Sequence, residues 1–499
     1  MTHTPTTPTT ETVDVAVIGL GPVGATLANL LTLRGVRTLV IEKEREIYSL
    51  PRAIQFDGEV LRVFQTIGIA DLLMPDLSVA RRMRFVDTEG HVIIDWQRPH
   101  DVGPIGWHSS YRFHQPTLEG HLRDRLASQP NAEVLLGAEL LTIEDQGTHV
   151  DLQIHDGDSD QLVHRKARYV VGCDGARSTV RRVMGTTLDD LQSHERWLVV
   201  DVLLDRERPD LDTDSIQYCD PARPATYVPA PHNRRRWELM LLPGEDPADM
   251  STSEAVWRLL SPWVTPEDGR IERPAAYTFH SVVARGWRQG RLLLAGDACH
   301  QTPPFMGQGM CAGIRDASNL AWKLADVVAG RADESLLDTY ESERSPHVRE
   351  FIETAVRLGR VIQTTDPDLA EARNARMRRE PEAFRTPRPL LGPGAHAGAA
   401  PAGDIGDQPW LPDGRRTDDL VGYHYCLLVA PEHRELAEAA AAAASTQVTV
   451  VDAVSQSQVE WLSTLGAVAV LVRPDRYIAA TASEPGEVAA LTSTLARVA

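Results

Sequence analysis

The chain has 499 residues, 42% of them hydrophobic and 24% charged, a globular composition at a length beyond one hydrophobic core, so two or three domains are expected. Its 51 Lys and Arg stand against 70 Asp and Glu, a formal charge of -19, and the resulting field repels a nucleic-acid backbone. The longest apolar runs, such as Val13–Leu20 and Gly466–Val472, are far short of the roughly 20 residues that cross a bilayer, so no membrane span is expected. The Thr/Pro-rich start MTHTPTTPTTET lacks a basic and an apolar region and reads as a frayed tail, not a signal peptide. Five scattered cysteines without a CxxC pair indicate neither disulfides nor a metal site. A cytoplasmic protein is expected.

From Thr12 the run VDVAVIGLGPVGATLANLLTLRGVRTLVIEKE predicts strand, glycine turn, helix and strand, with Leu27, Leu30 and Leu31 at helical spacing. The turn is Gly19-x-Gly21-x-x-Gly24, with Val23 inside it. Its glycines permit a tight bend and close approach of a pyrophosphate to a helix N-terminus. Glu42 ends the next strand, placed to accept hydrogen bonds from a ribose, with Lys43 beside it. This turn alone does not separate FAD from NAD.

Further on, Arg168–Asp174 (RYVVGCD) and Arg291–Asp297 (RLLLAGD) read as buried strands of the same parallel sheet, ending in Asp174 and in Gly296-Asp297. Between them, about Glu195 to His280 carries β-rich stretches at antiparallel spacing, which predicts an inserted second domain. Helices follow Gly309 and continue to about residue 362. The Pro/Gly/Ala-rich stretch Thr386–Gly403 reads as a linker. The last hundred residues alternate strand and helix in an order that resembles a thioredoxin-like fold. Their only cysteine is Cys426, and thiol exchange needs a second, so a structural role is expected.

Three segments in order carry the main resemblance: the first glycine turn, Cys173-Asp174-Gly175-Ala176-Arg177-Ser178, and Gly296-Asp297-Ala298-Cys299-His300 with Pro303-Pro304-x-x-Gly307-Gln308-Gly309 and Met310. The chain resembles the FAD-dependent aromatic hydroxylases, in which these are the turn for the ADP half of FAD and the DG and GD signatures. Pro51-Arg52-Ala53 and Gln115 are similar to that family's flavin-side segments; taken singly, Arg52 also fits a solvated loop and Gln115 a helix start. Within the family the resemblance is greatest to 3-(3-hydroxyphenyl)propionate hydroxylases, through segments such as Trp197–Asp201, Arg235-Arg236-x-Glu238 and Arg473–Arg476. Ser215-Ile216-Gln217-Tyr218 departs from that pattern, which puts the substrate in doubt.

The resemblance implies an α/β protein. Its discontinuous Rossmann-like FAD-binding domain would comprise residues 1–75, 105–190 and 285–385, with an antiparallel-sheet substrate domain at 76–104 and 191–284. A linker at 386–403 and a thioredoxin-like domain at 404–499 would follow. It also implies tightly bound FAD, transient NADH or NADPH, and O2, with hydroxyl transfer from a flavin C4a-hydroperoxide to a phenol. The expected substrate is 3-(3-hydroxyphenyl)propionate or a similar phenolic acid; a resorcinol-type phenol or an aromatic polyketide is the alternative. A plain NAD-dependent dehydrogenase is the alternative from another class. Asp297 is suited to a ribityl hydroxyl, and the turn at Gly307–Gly309 to the flavin edge that gains charge on reduction. Tyr218 and His280 are the candidates for activating the phenol, with Tyr227, His114 and Tyr111 beside them. Arg223, Arg235 and Pro303 are candidate substrate contacts, and His300 is read as packing. A homodimer is held open.

Overall fold

Apolar β-branched runs bounded by glycine turns can satisfy their backbone only by pairing with one another, and among the described residues they do so in four sheets. A computed structural model describes residues 12–49, 52–272, 274–380 and 382–492; the predicted N-terminal tail, Pro51 and most of the last predicted helix lie outside them. In the first sheet the strands Leu292–Leu294, Gln161–Gly172, Val13–Ile18, Thr38–Glu42 and Ala132–Leu136 lie side by side, all parallel. Helices Pro22–Leu33 and Gly309–Val328 pack together on it. Leu27, Leu30 and Leu31 are fully buried, as a strand-helix-strand unit covered on both faces requires.

The second sheet is mainly antiparallel. Its central order is Ala275–Arg285, Thr187–Leu204, Arg234–Met240, Ala225–Pro229, Ser215–Tyr218, Arg82–Val86 and Val92–Gln97. Side chains alternate across such a sheet, and the alternation sorts them into two cores. Leu198, Val200, Val202, Ile216, Tyr227, Trp237 and Leu239 form one with Val256 and Leu260 of helix Ser253–Leu260. On the opposite face, Trp197, Met83, Phe85, Trp96 and Cys219 pack with Phe305 and Met306. That second face is the one turned toward the first domain.

A small sheet of Gln55–Asp57, Ser110–Arg112 and Ser78–Val79 lies between the two. The C-terminal sheet runs Val448–Asp452, Tyr425–Val429, Ala469–Val472, Ile478–Ala482, its first pair parallel and the rest antiparallel. It shares a core with the first domain, where Trp322 meets Tyr425 edge to face at 5.7 Å.

The stretch expected to be a linker is a pinned strap. Gly392 N donates to Glu343 O (2.9 Å), Ala397 N to Ala479 O (2.7 Å) and Ala395 N to the Glu343 carboxylate (2.6 Å). Its small residues serve close packing: a Cβ on Gly392 would stand 2.1 Å from Ser342 O. Composition alone does not distinguish that from flexibility.

Candidate active site

The first glycine turn joins strand Val13–Ile18 to helix Pro22–Leu33. Gly19 N donates to Ile41 O at 2.8 Å, which stitches the turn to the neighbouring strand. Helix packing decides Gly24, where a Cβ would lie 2.0 Å from Gly19 O; at Gly21 a Cβ would meet nothing within 4 Å, so that side stands open. Gly21 caps the helix without any side-chain hydrogen bond, and its first N–H groups remain available to an anion. Val23 packs on Gly296, where a Cβ would come within 3.0 Å of it. The two glycine turns therefore meet in space.

Glu42 holds the turn from the next strand: Oε2 accepts from Leu20 N (2.6 Å) and Oε1 from Glu44 N (2.9 Å). Lys43 is exposed with its ammonium 3.9 Å from Glu44, a placement in solvent and not in the turn. Asp174 accepts from Thr179 N (2.6 Å) and Val180 N (3.3 Å) through Oδ2, while its buried Oδ1 has no hydrogen-bond partner among the described residues.

Asp297 is exposed, yet the protein around it removes enough hydration to push its carboxyl above the usual range, against the pull of His300 and Arg52. Behind it lies a fully buried hub: Asp316 accepts from Gly296 N (3.1 Å) and Arg344 Nε (3.0 Å) and lies 2.6 Å from His300 Nε2. This hub fixes the Gly296 turn. His300 is packing, with its ring 5.5 Å from Trp287.

The loop after it starts at buried Pro303, winds through a short helix Pro304–Met306 and reverses at Gly307, whose φ of +64° suits glycine. Gln308 then starts helix Gly309–Val328 and accepts from Arg315 Nη1 (3.2 Å), while Arg315 also binds Asp57 and Glu59. Gly309 opens the helix, and Met310 is half-buried against the core. Gln115 Oε1 accepts from both Arg52 N (2.9 Å) and Ala53 N (2.7 Å), and Gln115 Nε2 donates to Glu119 (2.8 Å). Arg236, buried and paired with Asp201 at 2.8 Å, donates to Arg52 O (2.7 Å).

Beyond this loop stands the inner face of the second sheet. By strand register it carries Trp197, Asp201, Arg236, Glu238, Thr226 and Gln217. Trp197 meets Phe305 edge to face at 5.6 Å. Gln217 Oε1 accepts from Thr226 Oγ1 at 2.6 Å, both side chains buried. Glu238 is 9% exposed, and burial pushes its carboxyl up to about 7 in spite of Arg236. A carboxyl raised in this way on an inward sheet face is a candidate for acid-base chemistry.

The open Gly21 approach, the uncapped helix start, the orphaned Asp174 oxygen and the exposed Asp297 fit FAD laid across the two turns. An FAD-binding domain matches residues 12–355 and an aromatic-ring hydroxylase C-terminal domain residues 398–499. The chain belongs to the FAD-dependent aromatic-ring hydroxylases. A probable NADH-specific resorcinol 4-hydroxylase of Rhodococcus jostii is 37% identical to this hydroxylase over 96% of its chain and 94% of the relative's. A 3-(3-hydroxy-phenyl)propionate/3-hydroxycinnamic acid hydroxylase of Mycobacterium sp. strain JLS is 40% identical over 73% of the chain, a match that spans 63% of the relative. Among solved structures, the flavin-dependent monooxygenase PieE with FAD and substrate superposes with a TM-score of 0.85 at 24% identity, covering 98% of this chain and 99% of that one.

In the hydroxylase, the candidates expected to act on substrate are not where strand content alone put them. Tyr218 and Tyr227 lie on the outer face: Tyr218 packs against Trp263 (5.3 Å), and Tyr227 packs on Trp237 (5.2 Å) and donates to Asp212 O. The cause is parity, since Tyr218 follows the inward Gln217 by one residue. His280 pairs with His194 at the surface, their Nδ1 atoms 2.8 Å apart. Arg223 is taken by Glu245, and Arg235 donates to Ala230 O and Arg234 O. Tyr111 is buried, and its hydroxyl accepts from His108 N (2.9 Å). His114 contacts Thr117, and burial lowers its pKa.

Sequence reasoning missed Glu238, Gln217, Thr226, Arg98 and Arg112. A signal was present in the first three: each is a polar residue flanked on both sides by apolar or aromatic ones in its strand.

Proposed function

We propose that this hydroxylase inserts oxygen into the ring of a small phenolic acid, with 3-(3-hydroxyphenyl)propionate the leading candidate. The observation that carries the reading is Glu238: a buried carboxyl near neutrality on the sheet face turned toward the Pro303–Gly309 loop. Bound FAD supplies the two-electron redox chemistry and the activation of O2. Gly19, Gly21, Gly24, Glu42 and Asp174 would hold its ADP half, and Arg52, Asp297 and the Gly307–Gly309 turn the rest. The Gly309 helix start would stabilise negative charge there.

Glu238 accepts the phenol proton, raising electron density on the ring carbon that is attacked. Gln217 and Thr226 hold the phenol oxygen in plane. Trp197, Phe305 and Met306 keep water out, which favours transfer to the ring over loss of the oxidant as peroxide. NADH or NADPH docks transiently, in keeping with a chain that carries a single glycine turn of the dinucleotide kind. Action in the cytoplasm follows from that supply of reductant; no helix among the described residues is long and apolar enough to cross a membrane. We read the C-terminal unit as thioredoxin-like without a redox role, supported by its strand order and its single, buried Cys426.

A second reading is a resorcinol-type phenol, favoured by the match to the Rhodococcus relative along nearly its whole length. Oxidation of NADH and of NADPH by the purified FAD-bound protein separates the two. With each phenol in turn, product chromatography and a peroxide assay are run alongside. A catechol formed in step with nicotinamide oxidised supports hydroxylation of that phenol; peroxide alone removes it from consideration.

A further inference from the structure

Buried positive charge is costly unless an anion meets it, and the inner end of the second sheet holds more of it than its own acids balance. Arg98 follows strand Val92–Gln97, is 5% exposed, and lies over the Trp96 ring at 4.4 Å. Among the described residues neither of its terminal nitrogens, both buried, has a hydrogen-bond partner. Arg112, also 5% exposed, donates to Thr213 O (2.9 Å) and reaches Ser215 Oγ at 3.5 Å, leaving its buried Nε without one. The two guanidinium groups repel each other, and burial lowers both.

The acids nearby are Asp212 and Asp214. Both are engaged by Arg84, Asp212 in a close pair and Asp214 at 3.8 Å. Arg235 adds a further positive charge that bears on Arg112. Arg84 and Arg235 stand in the outer-face rows of Ile216 and Val202, and among the described residues Arg98 and Arg112 form no ion pair. Arginine does not shed its proton in a protein, so the excess calls for an external anion.

The position says which anion. Arg112 is paired in register with Gln55, and Gln55 Cβ lies 3.7 Å from where a Cβ on Gly307 would stand. Ser215, which Arg112 touches, shares the inner face with Gln217 two residues on. We infer that Arg98 and Arg112 form an anion subsite that takes the carboxylate of the aromatic substrate, so that a phenolic acid spans from Glu238 to this pair. The inference deepens the phenolic-acid reading and rests on it. A planar guanidinium pair suits a carboxylate because two N–H groups can meet two oxygens at once.

The test uses FAD-bound full-length protein, the wild type with Arg98→Gln, Arg98→Lys and Arg112→Gln. Dissociation constants are read from flavin difference spectra for 3-(3-hydroxyphenyl)propionate, its neutral amide, and resorcinol, with KM for NADH and NADPH alongside. Each Gln variant is expected to weaken the acid roughly 10- to 100-fold while the amide and resorcinol change by less than about threefold. Arg98→Lys, which keeps the charge without the fork, falls between. Retained flavin absorbance shows that each variant folds.

Equal losses for acid and amide overturn the subsite, and so does a shift confined to NADPH, which would give the anion to the nicotinamide phosphate. Two results separate this inference from the reading under it. Hydroxylation of neutral phenols, with no measurable binding of the acid, ends the subsite and leaves the hydroxylase. Arginine-dependent binding of the acid without any hydroxylated product keeps the subsite and ends the phenolic-acid reading.

Discussion

Glu343 and Arg473 form a fully buried two-point pair between the first domain and the C-terminal one, Nη1 to Oε1 at 2.9 Å and Nη2 to Oε2 at 2.8 Å. Lys323 Nζ and Asn319 Nδ2 meet the same carboxylate at 2.8 Å, and Asp475 closes the other side of Arg473. A single carboxylate thus gathers two helices, the strap at Ala395 and the C-terminal sheet.

Replacing Glu343 with Gln would strand the buried Lys323 ammonium and leave Arg473 to Asp475 alone, a loss of about 3–5 kcal/mol, visible as a large fall in Tm by calorimetry. Burial alone would raise the Glu343 carboxyl, but Arg473 and Lys323 outweigh it and hold it well below the ordinary range. A depressed folded-state value contributes stability above the unfolded value of about 4.5 and loses it as pH falls below that. The wild type is expected to lose Tm steeply on acidification in that window, and Glu343→Gln to show a flatter curve.

Glu238 titrates in the opposite sense. Its folded value is raised to about 7 from 4.5, so the native state binds the extra proton between those values. Stability linked to it is complete below 4.5 and is lost as pH rises through 7. Activity should do the reverse, rising as the carboxylate forms. Glu238→Gln is expected to lower kcat roughly 10²- to 10⁴-fold, to abolish the limb near pH 7, and to leave Tm at pH 8 equal or higher. A retained limb in the variant's pH–rate profile would assign the base elsewhere.

Two glycines of the first turn should fail differently. Gly24→Ala drives a Cβ to within 2.0 Å of Gly19 O, so the helix shifts and the protein loses both FAD and stability. Gly21→Ala meets no protein atom within 4 Å; its Tm without cofactor should match the wild type, while FAD is lost on gel filtration. Unchanged FAD retention in Gly21→Ala would mean that no pyrophosphate lies against that turn.

Tyr218→Phe tests the sheet's parity. The hydroxyl sits on the outer face near Trp263, so kcat/KM for the phenol should stay within about twofold and stability within about 1 kcal/mol. A loss comparable to that of Glu238→Gln would place the reacting ring on the other side of the sheet.

The cofactor half of this protein was legible residue by residue because its chemistry is local. A strand, a glycine turn and a helix start are contiguous in the chain, and the positive φ at Gly19 and Gly307 and the crowding of Gly24 against Gly19 O are set within a few residues. The same holds for Asp174, whose partners Thr179 and Val180 are its near neighbours. The substrate half was not legible in this way. Alternation puts Gln217 and Tyr218 on opposite faces whatever the fold, but only packing against Phe305 and Met306 decides which face is inward.

The strap at 386–403 misled for a related reason, since small residues suit a flexible linker and a close-packed ribbon equally well. By itself the sequence determined the parallel sheet, the two glycine turns and the acidic, cysteine-poor character of the chain. Only the tertiary structure brought Arg98 and Arg112 together beside the flavin-side loop and set Glu238 opposite it. Those side chains come from separate segments of the chain, and long-range strand pairing, not local spacing, places them.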